Sequence, residues 1–204
     1  MRVFVGGVAG DTERLLTERL LDGGRVQRIT GLDDRPCHPP LPGLYFVRAA
    51  YEQREWWPNL ADADAAVLLT PLRWPLARRD RRREAALVSE ARAFVEAAMA
   101  LGVPKLIVAN SAALYGTRAA NAALGEDAAV CGHSASAYGR ARARLADWLE
   151  LDVAPRYPGV LTRLRVAPLA GAHHGEIVRH VRQLPVLVCG AEERALALVH
   201  EDDA

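Results

Sequence analysis

Two glycines three residues apart, placed directly after an apolar run, are the residues of this sequence with the clearest chemistry. In "RVFVGGVAGDTERLL" they are Gly7 and Gly10, with Thr12 just beyond. A strand that ends in a glycine turn and opens a helix aims backbone N–H groups and the positive end of a helix dipole at one point, which suits a pyrophosphate. A second apolar run ends in "GLDDRP", so that Asp33 stands where a carboxylate accepts from the hydroxyls of an adenosine ribose. An alternative stays open, in which Asp33 and Asp34 only start a polar turn before Pro36. Arg35 could meet the extra phosphate of NADP, whereas Asp33 favours NAD; between the two, NAD is slightly favoured.

Other chemistries find less support. His173 and His174 are adjacent and point different ways, with only Glu176 near as an acidic partner, and His200 to Asp203 form a cluster at the chain end. Neither makes a metal site. Cys37, Cys131 and Cys189 are odd in number and show no ligand spacing, which predicts reduced thiols in the cytoplasm rather than disulfides or zinc. Twenty-six basic residues against 25 acidic ones leave a net charge of +1, so no global field favours nucleic acid or an anionic membrane. The Arg78–Arg83 run has only Trp74 near it and reads as a solvated loop entering a helix rather than a nucleic-acid patch. No run reaches the roughly 18 apolar residues of a membrane span, and the N-terminal "MRVFVGGVAG" is broken by glycine and followed at once by acids, unlike a signal peptide. A soluble, cytoplasmic protein with a small-molecule partner is expected.

The elements that must position the glycine turn and Asp33 are short apolar runs alternating with longer helical patterns. Strands are predicted at Val3 to Gly6, Val26 to Thr30, Leu44 to Val47, Ala65 to Leu69, Lys105 to Ala109 and Leu161 to Val166. Between them, "DTERLLTERLLDG", "EAALVSEARAFVEAAMALG" and "SAYGRARARLADWLEL" have helical spacing. Asp11 is expected to cap the first helix and Gly23 and Gly24 to end it; Gly102 and Pro104 stop the second. Alternation of this kind predicts βαβ units, hence an α/β doubly wound parallel sheet (a Rossmann fold) with helices on both faces. With 204 residues, one core is expected over 1–170, followed by a short segment at 171–204.

Several segments in order resemble the extended short-chain dehydrogenases/reductases, the NAD-dependent epimerase/dehydratase family: "RVFVGGVAGDTERLLTERLL", "ITGLDDRP", "ADADAAVLL", "FVEAAMALGVPKLIVANSAALYG", "SAYGRARARLADWLE" and "LTRLRVAPLAGA". "VPKLIVANSAALYG" resembles the strand and turn that carry the family's catalytic hydroxyl and V-Y-G signature. "LALVHEDDA" resembles the stretch that precedes further substrate-binding structure, of which 171–204 would be a remnant. The resemblance implies NAD or NADP bound by Gly7, Gly10, Thr12, Asp33, Arg35, Leu69, Tyr138 and Arg142. It implies a catalytic set of Ser111, Tyr138 and Arg142, a hydroxyl or carbonyl substrate such as a nucleotide sugar, and compatibility with a homodimer. In such chemistry the Tyr trades a proton with the substrate oxygen, and a fixed cation favours the phenolate. Helical i, i+4 spacing brings residue 142 to Tyr138.

The chain also departs from the family pattern. Residue 142 is Arg where the family has Lys, in a chain whose single lysine is Lys105, and its planar guanidinium grips hydroxyls differently. The third glycine of the turn is replaced by Glu13, which is expected to strain helix-to-strand packing, and Asp11 stands where phosphate should lie. Family positions that usually carry Asp and Asn fall on Ala50 and Leu87, and the fourth strand ends "LLT". Asp11 and Glu13 oppose dinucleotide binding. They motivate a second reading, a catalytically degenerate family member that binds a nucleotide or partner as a regulatory protein. The ending before the usual substrate-binding part motivates a third, a truncated reading frame.

Overall fold

The computed structural model describes residues 1–69, 81–116, 124–132, 137–167, 169–170 and 199–200. The elements in chain order are β1 (Arg2–Gly6), α1 (Asp11–Asp22), β2 (Arg28–Asp33), β3 (Leu44–Arg48), α2 (Trp57–Leu60), β4 (Ala65–Leu69), α3 (Arg81–Ala100), β5 (Lys105–Ser111), α4 (Ala137–Trp148), β6 (Val160–Val166), β7 (Leu169–Ala170) and β8 (Val199–His200). Six strands form one parallel sheet in the order β3-β2-β1-β4-β5-β6. The fold is the doubly wound α/β one expected from the alternation of elements. Most of 171–204, with His173, His174 and Cys189, lies outside the described residues, as does the Arg run up to Asp80.

Alternation along the strands explains why both faces are covered. In β1, Phe4 belongs to one apolar cluster, with Leu32, Leu68, Leu106 and Val108, against α3 and α4 residues such as Phe94, Ala98 and Leu145. Val3 and Val5 point to the other face, with Ile29 and Val67, where Leu20 and Leu21 of α1 cover them. A strand buried on both faces reads as continuous apolar sequence, which is why "RVFV" and "AAVLL" stand out.

Several boundaries differ from the sequence reading: β1, β3 and β6 each gain one residue, β5 runs on to Ser111 rather than ending at Ala109, and the second strand and the head of α1 change most. The second strand begins at Arg28 rather than Val26 and runs on to Asp33 rather than stopping at Thr30. Its limits are set by parallel register, Arg2 with Arg28 through Gly6 with Leu32, and Asp33 with Arg48 of β3. Gly31, inside the strand, is where Val8 packs: a Cβ there would lie 2.8 Å from its Cγ2. At α1, the N-cap is Gly10, extended at φ −87° and ψ 159°, and Asp11 is the first helical residue rather than the cap. The Gly10 carbonyl takes the first helical bond, from Arg14 N at 2.9 Å. Gly23 and Gly24 end the helix as expected, Gly24 with φ +64°.

The larger core is anchored by rings. Trp56 stacks on Phe94 with centroids 5.8 Å apart, Phe4 lies 5.8 Å from Trp56 and 5.9 Å from Phe94, and all three are fully buried. Gly6 leaves room for Phe94, whose Cε2 would stand 2.7 Å from a Cβ at that position. The aromatic cluster therefore lies directly under the glycine turn. Phe94→Ala removes the central ring and should lower the unfolding free energy by about 3–5 kcal/mol, read as a lower midpoint in urea unfolding.

Candidate active site

Strand order reverses between β1 and β4, which opens a crevice at their carboxyl ends. Gly7 sits in it with φ +90°, where a Cβ would collide with the Leu69 carbonyl oxygen. Its N–H donates to Leu32 O at 2.8 Å. Only glycine lets the chain leave β1 this close to β4. Gly7 thus lies against Leu69, while Gly10 is the N-cap of α1 and the backbone of Thr12 lies in its first turn.

Asp33 closes the same turn from the β2 side. Its carboxylate is buried and accepts from Ala9 N at 3.0 Å, from Arg35 N at 3.0 Å and from the Arg35 guanidinium at 3.2 and 3.4 Å. Asp33 and Arg35, read as separate cofactor determinants, form one ion pair. A ribose hydroxyl that reaches Asp33 has to exchange with the guanidinium.

Glu13 departs from its expected effect. Its carboxylate does not pry α1 from the sheet, where Leu20 and Leu21 still pack. The side chain is buried and folds back over Gly10, such that Oε2 occupies the place a Gly10 Cβ would take, with Cδ 2.7 Å from it. Glu13 is three residues after the N-cap, the position from which an acid reaches back to the first turn of a helix.

The second group of residues gathers around the end of β5. Ser111 is buried at the strand end, and its Oγ accepts from Ala113 N at 3.2 Å, capping the short 3₁₀ turn Ala112–Tyr115. Tyr138 is in the first turn of α4, buried, and packed with Ala113 of that turn. Arg142 follows one helical turn later and is fully buried, its guanidinium carbon 4.8 Å from the Tyr138 ring centroid. The i, i+4 expectation holds, with contact through the ring face. A desolvated cation over a ring is worth about 2 kcal/mol.

Residues that sequence reasoning passed over hold this group in place. Asn110 donates from Nδ2 to Arg142 O at 3.1 Å and accepts from Ser111 N at 2.8 Å, tying the β5 end to α4. Arg165 of β6 lies in register with Asn110; it donates to the Tyr115 hydroxyl at 2.6 Å and to Glu126 O, and stacks on the Tyr115 ring. The only available signal was the polar pair "NS" ending an apolar strand. Ala50, by contrast, offers its N–H to Gln53 at 3.1 Å, and Leu87 is half-buried on α3. Among the described residues, no cluster of His, Cys, Asp or Glu is placed to hold a metal ion, and no helix is long and apolar enough to cross a membrane.

Burial pushes the Asp33 carboxyl above its ordinary value of 3.8, against the downward pull of the Ala9 and Arg35 N–H groups and the Arg35 charge. A carboxyl raised in the folded state holds its proton more tightly there than in the unfolded chain. Its contribution to stability is full below the ordinary value and is lost as pH rises through the raised one. Asp33→Asn removes that slope, so its stability relative to the parent should increase as pH rises from about 4 toward neutrality, measured by urea unfolding at each pH.

No family model and no curated protein matches the sequence. Solved structures do match. MoeE5 in complex with UDP-glucose and NAD aligns over 99% of this chain and 68% of its own, at 22% identity and a TM-score of 0.76. UDP-glucose 4-epimerase from Thermotoga maritima, with UDP-glucose, aligns over 99% of this chain and 70% of its own, at 20% identity and a TM-score of 0.75. A short-chain dehydrogenase/reductase superfamily protein from Agrobacterium tumefaciens with bound NAD aligns over 84% of this chain and half of its own, at 24% identity and a TM-score of 0.66. The chain thus spans between half and 70% of the length of these structures. It has the Rossmann fold that they share, the fold implied by its sequence resemblance to the extended short-chain dehydrogenases/reductases.

Proposed function

We propose that this chain is the dinucleotide-binding core of an NAD(P)-dependent oxidoreductase or epimerase/dehydratase of the extended short-chain class, acting at a hydroxyl or carbonyl carbon of a nucleotide sugar. The observation that carries the reading is the pairing, along the carboxyl edge of one parallel sheet, of the Gly7 turn with the Ser111, Tyr138 and Arg142 group. Structures of the same fold hold NAD and UDP-sugars in MoeE5, which supports the same ligand classes here.

The glycine turn fits a dinucleotide backbone, because Gly7 brings bare backbone against Leu69 where a side chain would intrude. Gly7, Gly10 and Thr12 would receive the pyrophosphate, Asp33 and Arg35 the adenosine ribose, and Leu69 the wall beyond the turn. When bound, the nicotinamide accepts or supplies the hydride. Tyr138 gives or takes the proton at the substrate oxygen through its phenol oxygen. Ser111, whose Oγ already accepts from Ala113 N, has its own proton to donate to that oxygen and so orient it. Arg142, fixed under the ring, supports negative charge on the phenol. NAD is slightly favoured over NADP because Asp33 holds Arg35. An odd number of cysteines without ligand spacing supports a cytoplasmic setting, and a homodimer fits the family resemblance.

A second reading, nucleotide binding without turnover, is favoured by one observation, the buried Glu13 carboxylate at Gly10. Titration of NADH and NADPH followed by nicotinamide fluorescence, with UDP-glucose turnover as a second readout, separates the two. Tyr138→Phe should keep NADH binding and lower turnover by about 10²–10⁴-fold. Undiminished turnover in that variant rules the mechanism out, and saturable binding with no turnover in the parent protein favours the second reading.

A further inference from the structure

We infer that Glu13 is a built-in competitor for the phosphate site, an internal anion that caps the mouth of α1 and that a dinucleotide must displace in order to bind. The inference rests on the dinucleotide reading above and adds what regulates affinity at that site.

The argument starts from Gly10. Its backbone is extended, at φ −87° and ψ 159°, a conformation open to any residue, so dihedral strain does not demand glycine there. What demands it is Glu13: a Cβ at position 10 would collide with Oε2, with Cδ at 2.7 Å and Oε1 at 3.2 Å. The space that a glycine at the head of such a helix leaves for a ligand is taken by a side chain of the same helix. Glu13 is 7% exposed, so its carboxylate is held in the fold rather than waving in solvent.

The chemistry of the place is that of an anion site. Gly10 is an N-cap with no side chain of its own to satisfy the first-turn N–H groups, and α1 runs for 12 residues behind it, long enough for a helix dipole to act. A carboxylate folded back at the third helical position satisfies such groups and neutralises that end. Thr17 locks the same turn from beneath, its hydroxyl donating to Glu13 O at 2.8 Å. A pyrophosphate that needs these N–H groups meets a negative charge already in position, so either Glu13 swings out or the phosphates bind displaced from the helix mouth. Affinity for phosphate-bearing ligands is lowered in both cases. Affinity for the uncharged part of the ligand is not.

The test uses the whole chain, with Glu13→Gln and Glu13→Gly compared with the parent. Calorimetric titration with ADP-ribose, which carries the pyrophosphate, and with adenosine, which does not, reads the effect. Gln keeps the shape and removes the charge; Gly removes both. The expected result is ADP-ribose binding about tenfold tighter in each variant, a difference of about 1.4 kcal/mol, with adenosine affinity unchanged. Unchanged or weaker ADP-ribose binding in both variants, with the parent binding well, overturns the inference and leaves the dinucleotide reading standing. Equal tightening for adenosine overturns it too, because a loosened pocket rather than a removed charge would then be the cause. No saturable ADP-ribose binding in any of the three proteins overturns both readings. Loss of cooperative unfolding in both variants would make Glu13 a folding determinant and overturn the inference.

Discussion

The approach of the chain leaving β1 to the carboxyl end of β4 sets the rest of this molecule. At Gly7 the backbone passes so near the Leu69 carbonyl that no side chain fits, and the same residue donates to Leu32 O of β2 at 2.8 Å. One peptide unit therefore ties three neighbouring strands where their connections diverge to opposite faces. A larger residue would force β4 away and, with it, β5 and the side chains at its end.

Beneath that crossing the core has little freedom. Gly6 lies on the Phe94 ring, and Phe94 stacks with Trp56 and lies tilted against Phe4, so the turn is supported by stiff aromatic rings. The same α3 that carries Phe94 packs beside α4, and Asn110 fastens α4 to the end of β5 through the Arg142 carbonyl. Ser111 and the helix that carries Tyr138 are joined by this framework. Arg165 adds an outer tie, drawing Tyr115 and Glu126 toward β6.

Charge is handled locally at each point of the carboxyl edge. Arg142 is buried against an aromatic face, Asp33 is buried against Arg35 and the Ala9 N–H, and Glu13 is buried against Gly10. Buried charges persist only where partners offset their lost hydration. At Asp33 the partners come from the chain itself, which lowers the demand for a ligand's hydroxyls. At Glu13 the carboxylate stands at the positive end of a helix, which lowers the demand for phosphate.

Much of the fold was legible in the sequence because strands buried on both faces read as unbroken apolar runs, as at Ala65 to Leu69, and because glycines mark where helices end. The glycine turn and the Tyr138 to Arg142 spacing were legible for the same local reason: a strand end, a turn and one helical repeat are set by nearby residues. Strand limits at β2 were not, because register against β1 and β3 extends the strand through Gly31 to Asp33. Nor was the part played by Asn110 or Arg165, whose partners are 32, 39 and 50 residues away. The sequence by itself determined the alternating α/β order, the turn at Gly7 and the identities of the charged groups. Tertiary structure alone decided that Asp33 would hold Arg35 and that Gly10 would shelter a carboxylate, because those outcomes depend on which side chains the sheet and helix bring within reach.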